Sequence, residues 1–184
     1  MPLFEGPHLK KYWQEKGFDL GALLHDDFLV AIKKLYNEQH YTSALKLLLS
    51  LIDTMAYFEH GDSPRSFQRW LTAYVDLSTV GVTPDELWEH RNALLHMSTL
   101  DSRKVAAQTV KRLLPYVGQL PAHVPLDYPD YKVYPQLQLH VQVGHGIARF
   151  IDSLNKDRTK FEPFLERYED TLSDTHYTRL ETSA

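Results

Sequence analysis

The strongest helical pattern in the chain lies in residues 41–59, YTSALKLLLSLIDTMAYFE. Its apolar side chains recur at steps of three and four residues, which places them on one face of a helix: Leu45, Leu48, Leu49, Ile52, Met55 and Ala56. Residues 60–62, HGD, follow as a stop signal. Lys46 and Asp53 interrupt the apolar run, which is also shorter than the roughly 20 residues that span a bilayer. The pattern therefore predicts a core helix.

Four further segments of the chain carry helical periodicity. The first spans residues 20–36. The second begins at residues 63–64, Ser-Pro, because serine caps helices and proline suits their first position. The third spans residues 83–97, and the last spans about residues 147–168, where Pro163 is expected to introduce a kink. Together these segments predict a mainly α fold, an antiparallel bundle of about five helices.

The chain between residues 101 and 143 is less regular. Residues 105–117 fit either a helix or a strand, and an irregular connection follows that is marked by four prolines: Pro121, Pro125, Pro129 and Pro135. Residues 136–143 alternate polar and apolar side chains, which predicts a short strand and leaves room for a β-hairpin here. We expect one domain over residues 1–170 and a polar, frayed tail over residues 171–184.

Composition excludes several classes of site. The 184 residues include no cysteine, which excludes disulfides, thiolate zinc sites and cysteine nucleophiles. The formal net charge of -4 lacks the basic excess typical of strong nucleic-acid binders, so any contact with RNA has to be local. Residues 1–16 contain no apolar run that resembles a signal peptide. We expect a soluble, cytoplasmic protein without a membrane partner.

The helix over residues 83–97 has a clear start and an unusual face. Thr83 is followed three residues later by Glu86, the spacing of a capping box. On a wheel of about 100° per residue, Arg91 falls in the middle of an apolar arc: Leu87, Trp88, Leu94 and Leu95. The neighbouring strip is polar: Asp85, Glu89, Asn92 and His96. His96 lies about 140° around an α-helix from Arg91, and the long arginine can reach toward it.

An arginine in the middle of an apolar arc needs an explanation, because charged side chains are almost never buried unpaired. Three explanations remain open at this point. Arg91 pairs with a buried acid such as Asp53. Alternatively, it extends its charge to solvent over an apolar stem. In the third explanation it faces an interface or cleft where a positive charge is needed.

Residues 91–96, RNALLH, resemble the motif of HEPN domains, in which an arginine, often followed by a polar residue, precedes a histidine. Residues 86–90 are similar to the segment that leads into that motif. The apolar helix that contains residues 50–53, SLID, resembles the second helix of the family. The resemblance covers roughly residues 20–100. It implies an antiparallel helical bundle that acts as a homodimer, with two motifs facing each other across the interface.

The resemblance implies a metal-independent endoribonuclease, without a metal or other cofactor, in a toxin–antitoxin or defence setting. RNA is the implied substrate, and a cognate antitoxin or inhibitor protein is a further partner that it allows. The residue types agree with this chemistry. His96 can take the proton of the RNA 2′-hydroxyl, and Arg91 can stabilise the charge that grows on the phosphate. Asn92 would orient His96 or the phosphate, and the product would be a 2′,3′-cyclic phosphate or its hydrolysed form.

A local basic patch is the remaining requirement for an RNA substrate. Arg65, Arg103 and Lys104 are the candidates for binding the substrate. Two other classes of function stay open beside the ribonuclease. One is a non-catalytic HEPN-like module that binds a nucleotide or a partner protein. The other is a helical scaffold in which Arg91 forms a buried structural ion pair.

Two pairs of residues give weak metal signals. His140 and His145 lie beside glycines, and Glu89 shares a helix face with His96. Two ligands do not make a zinc site, which needs three or four. We therefore expect no metal centre at either pair.

Overall fold

The computed structural model describes residues 7–15 and 17–171 and confirms a mainly α fold. Its α-helices are α1 (Leu20–Leu24), α2 (Val30–Asn37), α3 (Tyr41–His60), α4 (Ser66–Tyr74), α5 (Pro84–Asn92), α6 (Arg103–Ala106), α7 (Gln136–Lys156) and α8 (Phe161–Glu169). Its strands are β1 (Trp13–Gln14), β2 (Gly17–Phe18), β3 (Arg112–Tyr116) and β4 (Tyr131–Pro135). Two 3-10 helices (Pro7–Tyr12 and Arg158–Lys160) and two π-helical segments (His25–Leu29 and Ala93–Met97) complete the elements. Within these described ranges, every helix is too short or too polar to cross a membrane.

Helix α3 lies at the centre of the apolar core and contacts α2, α4, α7 and α8. Its buried face carries the side chains expected from the periodicity, among them Leu45, Leu48, Leu49, Ile52 and Met55. The helix ends at Gly61, whose φ of 63° lies in the left-handed region that glycine adopts without strain. The predicted core helix and its stop signal are therefore confirmed.

The first predicted helix is continuous but changes type along its length. Asp19 caps it by accepting a hydrogen bond from the Ala22 N–H at 2.9 Å. The chain then passes from α1 through the π-helical segment into α2 without leaving helical geometry. The prediction of a helix over residues 20–36 is confirmed.

Helix α4 begins later than its Ser-Pro pair suggests. Residues 63–64 lie in a turn, in which the Ser66 N–H bonds to the Ser63 carbonyl oxygen at 3.2 Å. Arg65 precedes the first helical residue and has a φ of 60°. Because this left-handed residue separates the pair from the helix, Pro64 belongs to the turn and not to the first helical position.

Helix α7 packs tightly against the end of α4 at Gly146. A Cβ atom at this position would lie 2.8 Å from Val75 Cγ2 and 3.0 Å from the Tyr74 carbonyl oxygen. Gly144 lies two residues earlier, about 200° around the same helix, and a Cβ atom there would meet nothing within 4 Å. The two glycines of α7 therefore differ in their packing, since only at Gly146 does the missing side chain leave space for a neighbouring helix.

The two strands that follow the predicted helix over residues 83–97 do not form a hairpin. Strands β3 and β4 pair in parallel, with Arg112 opposite Tyr131, and the irregular residues 117–130 return the chain between them. Among the strands of the described residues, the antiparallel pair is β1 with β2, close to the N-terminus. The expected hairpin after the motif is therefore wrong in direction. A parallel pair requires a long connection, which the proline-rich residues provide.

The predicted strand over residues 136–143 is also wrong, because this stretch is the start of the long helix α7. Its alternation includes Leu137 and Val141, which are exposed by 54% and 42%. The buried side chains of α7 instead recur at helical steps: Leu139, Val143, Ile147, Phe150 and Leu154. Eight alternating residues fit both periods, and only the longer window separates a helix from a strand.

The last predicted helix is two helices. The break falls at residues 157–160, where Asp157 accepts a hydrogen bond from the Thr159 N–H at 3.1 Å and starts a 3-10 turn. Pro163 lies in the first turn of α8, a position that tolerates proline, so it produces no kink. The polar tail lies outside the described residues from residue 172 onward.

Candidate functional site

The start of α5 is fixed by the capping box that its sequence predicts. The Glu86 N–H donates to Thr83 Oγ1 at 3.2 Å, and the Thr83 N–H donates to the Glu86 carboxylate at 2.7 Å. The Glu86 carboxylate also accepts from Lys132 of β4 at 2.8 Å. Because both partners are largely buried, this ion pair ties the strand to the first turn of the helix. The position of α5 is therefore determined at its start.

The end of α5 widens into the π-helical segment Ala93–Met97. We call α5 and this segment together the motif helix. The N–H of Ser98 bonds to the carbonyl oxygens of both Ala93 and Leu94, and the helix stops there with Ser98 at a φ of 53°. A π-helix bonds each N–H to the carbonyl oxygen five residues earlier, so its turn is wider than an α turn and side chains five apart come closer to alignment along its axis. This widening brings His96 to the same side as Arg91 and corrects the separation of about 140° expected for a regular α-helix.

The guanidinium of Arg91 is held from several sides. Its Nε donates to Asp53 Oδ2 at 2.5 Å. Its Nη1 donates to Asn92 Oδ1 at 3.1 Å and lies 3.0 Å from His96 Nε2. The cation also lies over the ring of Trp88, 5.2 Å from its centre. Within the part of the chain that the structure describes, Nη2 has no hydrogen-bond partner, and the side chain is 19% exposed.

Arg91 combines two of the arrangements considered from the sequence, because it pairs with an acid and keeps part of its guanidinium near the surface. Arg91 does pair with Asp53, which is the structural explanation considered from the sequence. Asp53 is not fully enclosed, since 27% of its side chain remains exposed. Burial raises the pKa of the Asp53 carboxyl, and the hydrogen bond from Arg91 opposes that shift. The pair therefore holds the guanidinium in place while leaving one of its edges toward the surface.

His96 is exposed on the surface beside this guanidinium. Arginine is always protonated and can only donate, so its contact with His96 requires Nε2 to act as the acceptor. The neutral ring then carries its proton on Nδ1. The lone pair of Nε2 therefore accepts the Arg91 N–H at 3.0 Å, and it becomes free for another proton only when this contact is replaced.

Two contacts join α3 to the motif helix, and they lie seven residues apart on both partners. Asp53 meets Arg91, and Lys46 Nζ donates to Ser98 Oγ at 2.8 Å. Residue numbers fall along α3 as they rise along the motif helix, so the two elements run antiparallel. Lys46 was missed by sequence reasoning. The available signal was its spacing from Asp53, because residues seven apart lie two turns along one helix face.

The polar strip expected on the motif helix is not uniform in the structure. Glu89 is buried, and its carboxylate lies 3.0 Å from Lys104 Nζ. The next residue, His90, is buried as well, with its Nε2 at 3.2 Å from the Tyr134 hydroxyl. Burial lowers the pKa of His90 to about 4, so its ring is neutral at physiological pH. Glu89 therefore belongs to the supporting structure, separate from the exposed His96.

The structure distributes the three predicted substrate-binding residues around the motif helix. Lys104 is committed to Glu89, although its amino group stays largely exposed. Arg103 is exposed at the start of α6. Arg65 lies 3.8 Å from Asp85, at the end of the motif helix opposite to His96. Of the three, Arg103 and Lys104 follow the motif directly, whereas Arg65 accompanies the start of its helix.

The weak metal signals bring no cluster together. Within residues 7–15 and 17–171, no group of three or more histidine, aspartate or glutamate side chains is arranged to hold a metal ion. His140 is largely buried against the ring of Tyr36, with ring centres 5.0 Å apart, and burial lowers its pKa to about 4. It therefore belongs to the packing between α2 and α7.

Comparison with protein-family models, with curated proteins and with solved structures finds no match to this chain. The resemblance to HEPN domains therefore rests on the sequence alone, and the site is described by its own geometry. The site comprises an arginine held by a carboxylate, an exposed histidine in contact with that arginine, and an asparagine on the same guanidinium nitrogen. Chemically it can bind an anion at Arg91 and exchange a proton at His96.

Proposed function

We propose that this chain is a metal-independent endoribonuclease of HEPN type. The observation that carries the proposal is the contact of 3.0 Å between Arg91 and His96, made while Asp53 holds the same guanidinium from its other side. An anion-binding group and a proton acceptor at this distance can act on one phosphodiester. The reaction class is transesterification, because RNA brings its own nucleophile in the 2′-hydroxyl.

The proposed reaction assigns one role to each motif residue. Nε2 of His96 accepts the proton of the 2′-hydroxyl, and the 2′-oxygen forms a bond to phosphorus. The bond from phosphorus to the 5′-oxygen breaks, and that oxygen takes a proton from a second acid or from water. The products are a 2′,3′-cyclic phosphate and a 5′-hydroxyl. Nη2 of Arg91, unengaged in the described chain, donates to the phosphoryl oxygens as their charge grows.

Asn92 has a narrower role than the sequence suggested. Its Oδ1 accepts a hydrogen bond from Arg91 Nη1, so it orients the guanidinium and not the imidazole. Nη1 is thereby occupied on both of its hydrogens, by Asn92 and by His96. Substrate binding has to replace the Arg91–His96 contact with one between His96 and the 2′-hydroxyl.

The proposal includes a homodimer in which two motifs share one cleft. A twofold interface places the same patch against itself. Two arginines would repel each other there, but each Arg91 already carries the Asp53 carboxylate of its own chain, which offsets that repulsion. The His96 of a second chain would then supply the acid that protonates the leaving oxygen. A cytoplasmic toxin or defence setting, with an antitoxin or inhibitor protein as partner, is part of the same proposal.

The test compares purified wild-type protein with His96→Ala on a mixed-sequence RNA. We expect cleavage to a 2′,3′-cyclic phosphate by the wild type and loss of at least a hundredfold in rate for His96→Ala. The matched control is His123→Ala, since His123 is also exposed but lies in the loop between β3 and β4. Cleavage that His96→Ala leaves unchanged would refute the assignment. Sedimentation at micromolar concentration tests the homodimer, and a monomer that cleaves RNA contradicts it.

A second candidate function is favoured by one observation, the half-buried ion pair itself. If Arg91 only holds α3 to the motif helix, the chain is a scaffold or a non-catalytic module that binds a nucleotide or a partner protein. In that case RNA cleavage is absent from the wild type, and His96→Ala has no phenotype. A purified chain that binds nucleotides without cleaving RNA would support this second function.

A further inference from the structure

Lys46 is a positively charged group beside the motif that the proposed reaction does not use. It is half-buried on α3, and its Nζ donates to Ser98 Oγ at 2.8 Å. Within the described ranges no carboxylate lies within 4.0 Å of this amino group. A lysine with a neutral partner retains its full charge for another ligand, because a serine hydroxyl compensates none of it.

The acids around the motif are each already paired with a cation. Asp53 bonds to Arg91, and Glu89 lies 3.0 Å from Lys104. Asp101, which follows the motif helix, accepts two hydrogen bonds of 2.6 Å from a single guanidinium. Once these pairs cancel, the positive charge of Lys46 remains in excess on this face of the chain.

The position of Lys46 is fixed relative to the proposed site. On α3 it lies seven residues before Asp53, which corresponds to about 10 Å along the helix axis. Its serine partner follows His96 by two residues, at the point where the motif helix ends. The amino group therefore lies at the end of the motif helix, and along α3 it lies about two helical turns from the carboxylate that holds Arg91.

We propose that Lys46 and Ser98 form a phosphate-binding subsite for single-stranded RNA. This subsite holds a phosphate adjacent to the one that is cleaved between Arg91 and His96, and it rests on the proposed function. Lys46 contributes the charge, and the Ser98 hydroxyl both positions the lysine and donates to a phosphate oxygen. The subsite supplies the local contact that a chain with a net charge of -4 needs in order to hold RNA.

The experiment measures binding of a 2′-O-methyl oligouridylate, which lacks the nucleophile and cannot be cleaved. Its affinity is determined by fluorescence anisotropy over a series of salt concentrations for the wild type and Lys46→Gln. Loss of one phosphate contact should reduce the salt slope by about 0.7 and the affinity about fivefold at 0.1 M salt. Lys34→Gln is the matched control, because it removes the same charge from an exposed site on α2.

The outcomes separate the subsite from the proposed function. A Lys46→Gln variant that keeps the wild-type slope overturns the subsite, and so does a slope change equal to that of Lys34→Gln. A lower melting temperature with an unchanged slope also overturns it, because Lys46 is then a structural tie to Ser98. Cleavage of unmodified RNA is measured in parallel. If Lys46→Gln lowers the salt slope but the wild type does not cleave RNA, the subsite is supported and the ribonuclease is refuted. If the wild type cleaves RNA but Lys46→Gln leaves the salt slope unchanged, the ribonuclease is supported and the subsite is refuted.

Discussion

Replacing Arg91 by alanine removes the cation that bonds to the Asp53 carboxylate. An exposed ion pair contributes about 0–1 kcal/mol, and breaking a fully buried pair costs about 3–5 kcal/mol. This pair lies between those limits, since Arg91 is 19% and Asp53 27% exposed. Asp53 can also take up a proton when its partner is lost, because burial raises its pKa, and this limits the cost. We therefore expect Arg91→Ala to lower the free energy of unfolding by about 1–3 kcal/mol.

The assay is a double-mutant cycle with Arg91→Ala, Asp53→Ala and the double variant, measured by urea unfolding at pH 7. We expect a coupling energy of about 1–2 kcal/mol, within the range found for residues in contact. A coupling energy below about 0.3 kcal/mol would show that the two side chains act independently and would refute the reasoning. A cost above about 4 kcal/mol for Arg91→Ala would place the pair in a fully buried setting, in favour of the scaffold.

The same variants report on the proposed reaction. Asp53→Asn keeps the size of the side chain and one oxygen acceptor but removes its charge, so the Arg91 guanidinium is held less firmly. Misplacement of a catalytic group by about 1 Å costs on the order of a hundredfold in rate, and we expect a loss of about ten- to a hundredfold in kcat. RNA cleavage by Asp53→Asn at the wild-type rate would remove Asp53 from the mechanism.

Three further predictions follow from features of the fold and site. Gly146→Ala should lower the free energy of unfolding by about 1–3 kcal/mol, because its Cβ would meet Val75 at 2.8 Å. Gly144→Ala should raise the free energy of unfolding by about 0.5–1 kcal/mol, because a Cβ atom there meets nothing. Equal urea midpoints for the two variants would contradict this prediction. Stability should fall as the pH drops from 6.5 toward 4, because the unfolded chain protonates His90 and His140 and the folded chain resists both. For His90, the folded pKa of about 4 corresponds to a loss of about 3 kcal/mol, and His90→Gln should reduce this acid sensitivity; a pH-independent melting temperature over that window would count against it. RNA cleavage should survive EDTA, since the substrate supplies the nucleophile and Arg91 the compensating charge; activity that is lost on chelation and restored by a divalent ion would overturn the mechanism.

Much of the fold could be predicted where local signals agree with the final packing. The core helix α3 and the start of α5 carry both periodicity and end signals, and both are confirmed. The start of α7 was missed because Leu137 and Val141 imitate the alternation of a strand while lying on an exposed helix face. The parallel direction of the β3–β4 pair depends on the path of the connecting residues 117–130, which no local sequence pattern predicts.

The candidate site was predictable in its residues but not in its geometry. Arg91 and His96 are marked by type and spacing, and Asp53 is visible as an acid that interrupts an apolar helix. The bond between Arg91 and Asp53 remained one of three alternatives, because the choice depends on how two helices pack. The Lys46–Ser98 contact depends on the same packing and spans 52 positions of sequence, so the spacing of Lys46 from Asp53 marks the lysine but does not identify its partner.

The π-helical segment constrains the number of residues that can separate Arg91 from His96. A π turn is an α turn that accommodates one additional residue, so we expect that deleting one of residues 93–95 restores regular α geometry and keeps the helix intact. In that shortened helix the arginine and the histidine would stand four residues apart, the spacing at which an α-helix aligns its side chains. The number of residues between Arg91 and His96 and the type of helix that carries them are therefore coupled. Related chains with a shorter interval would preserve the same contact only if they lacked the widened turn.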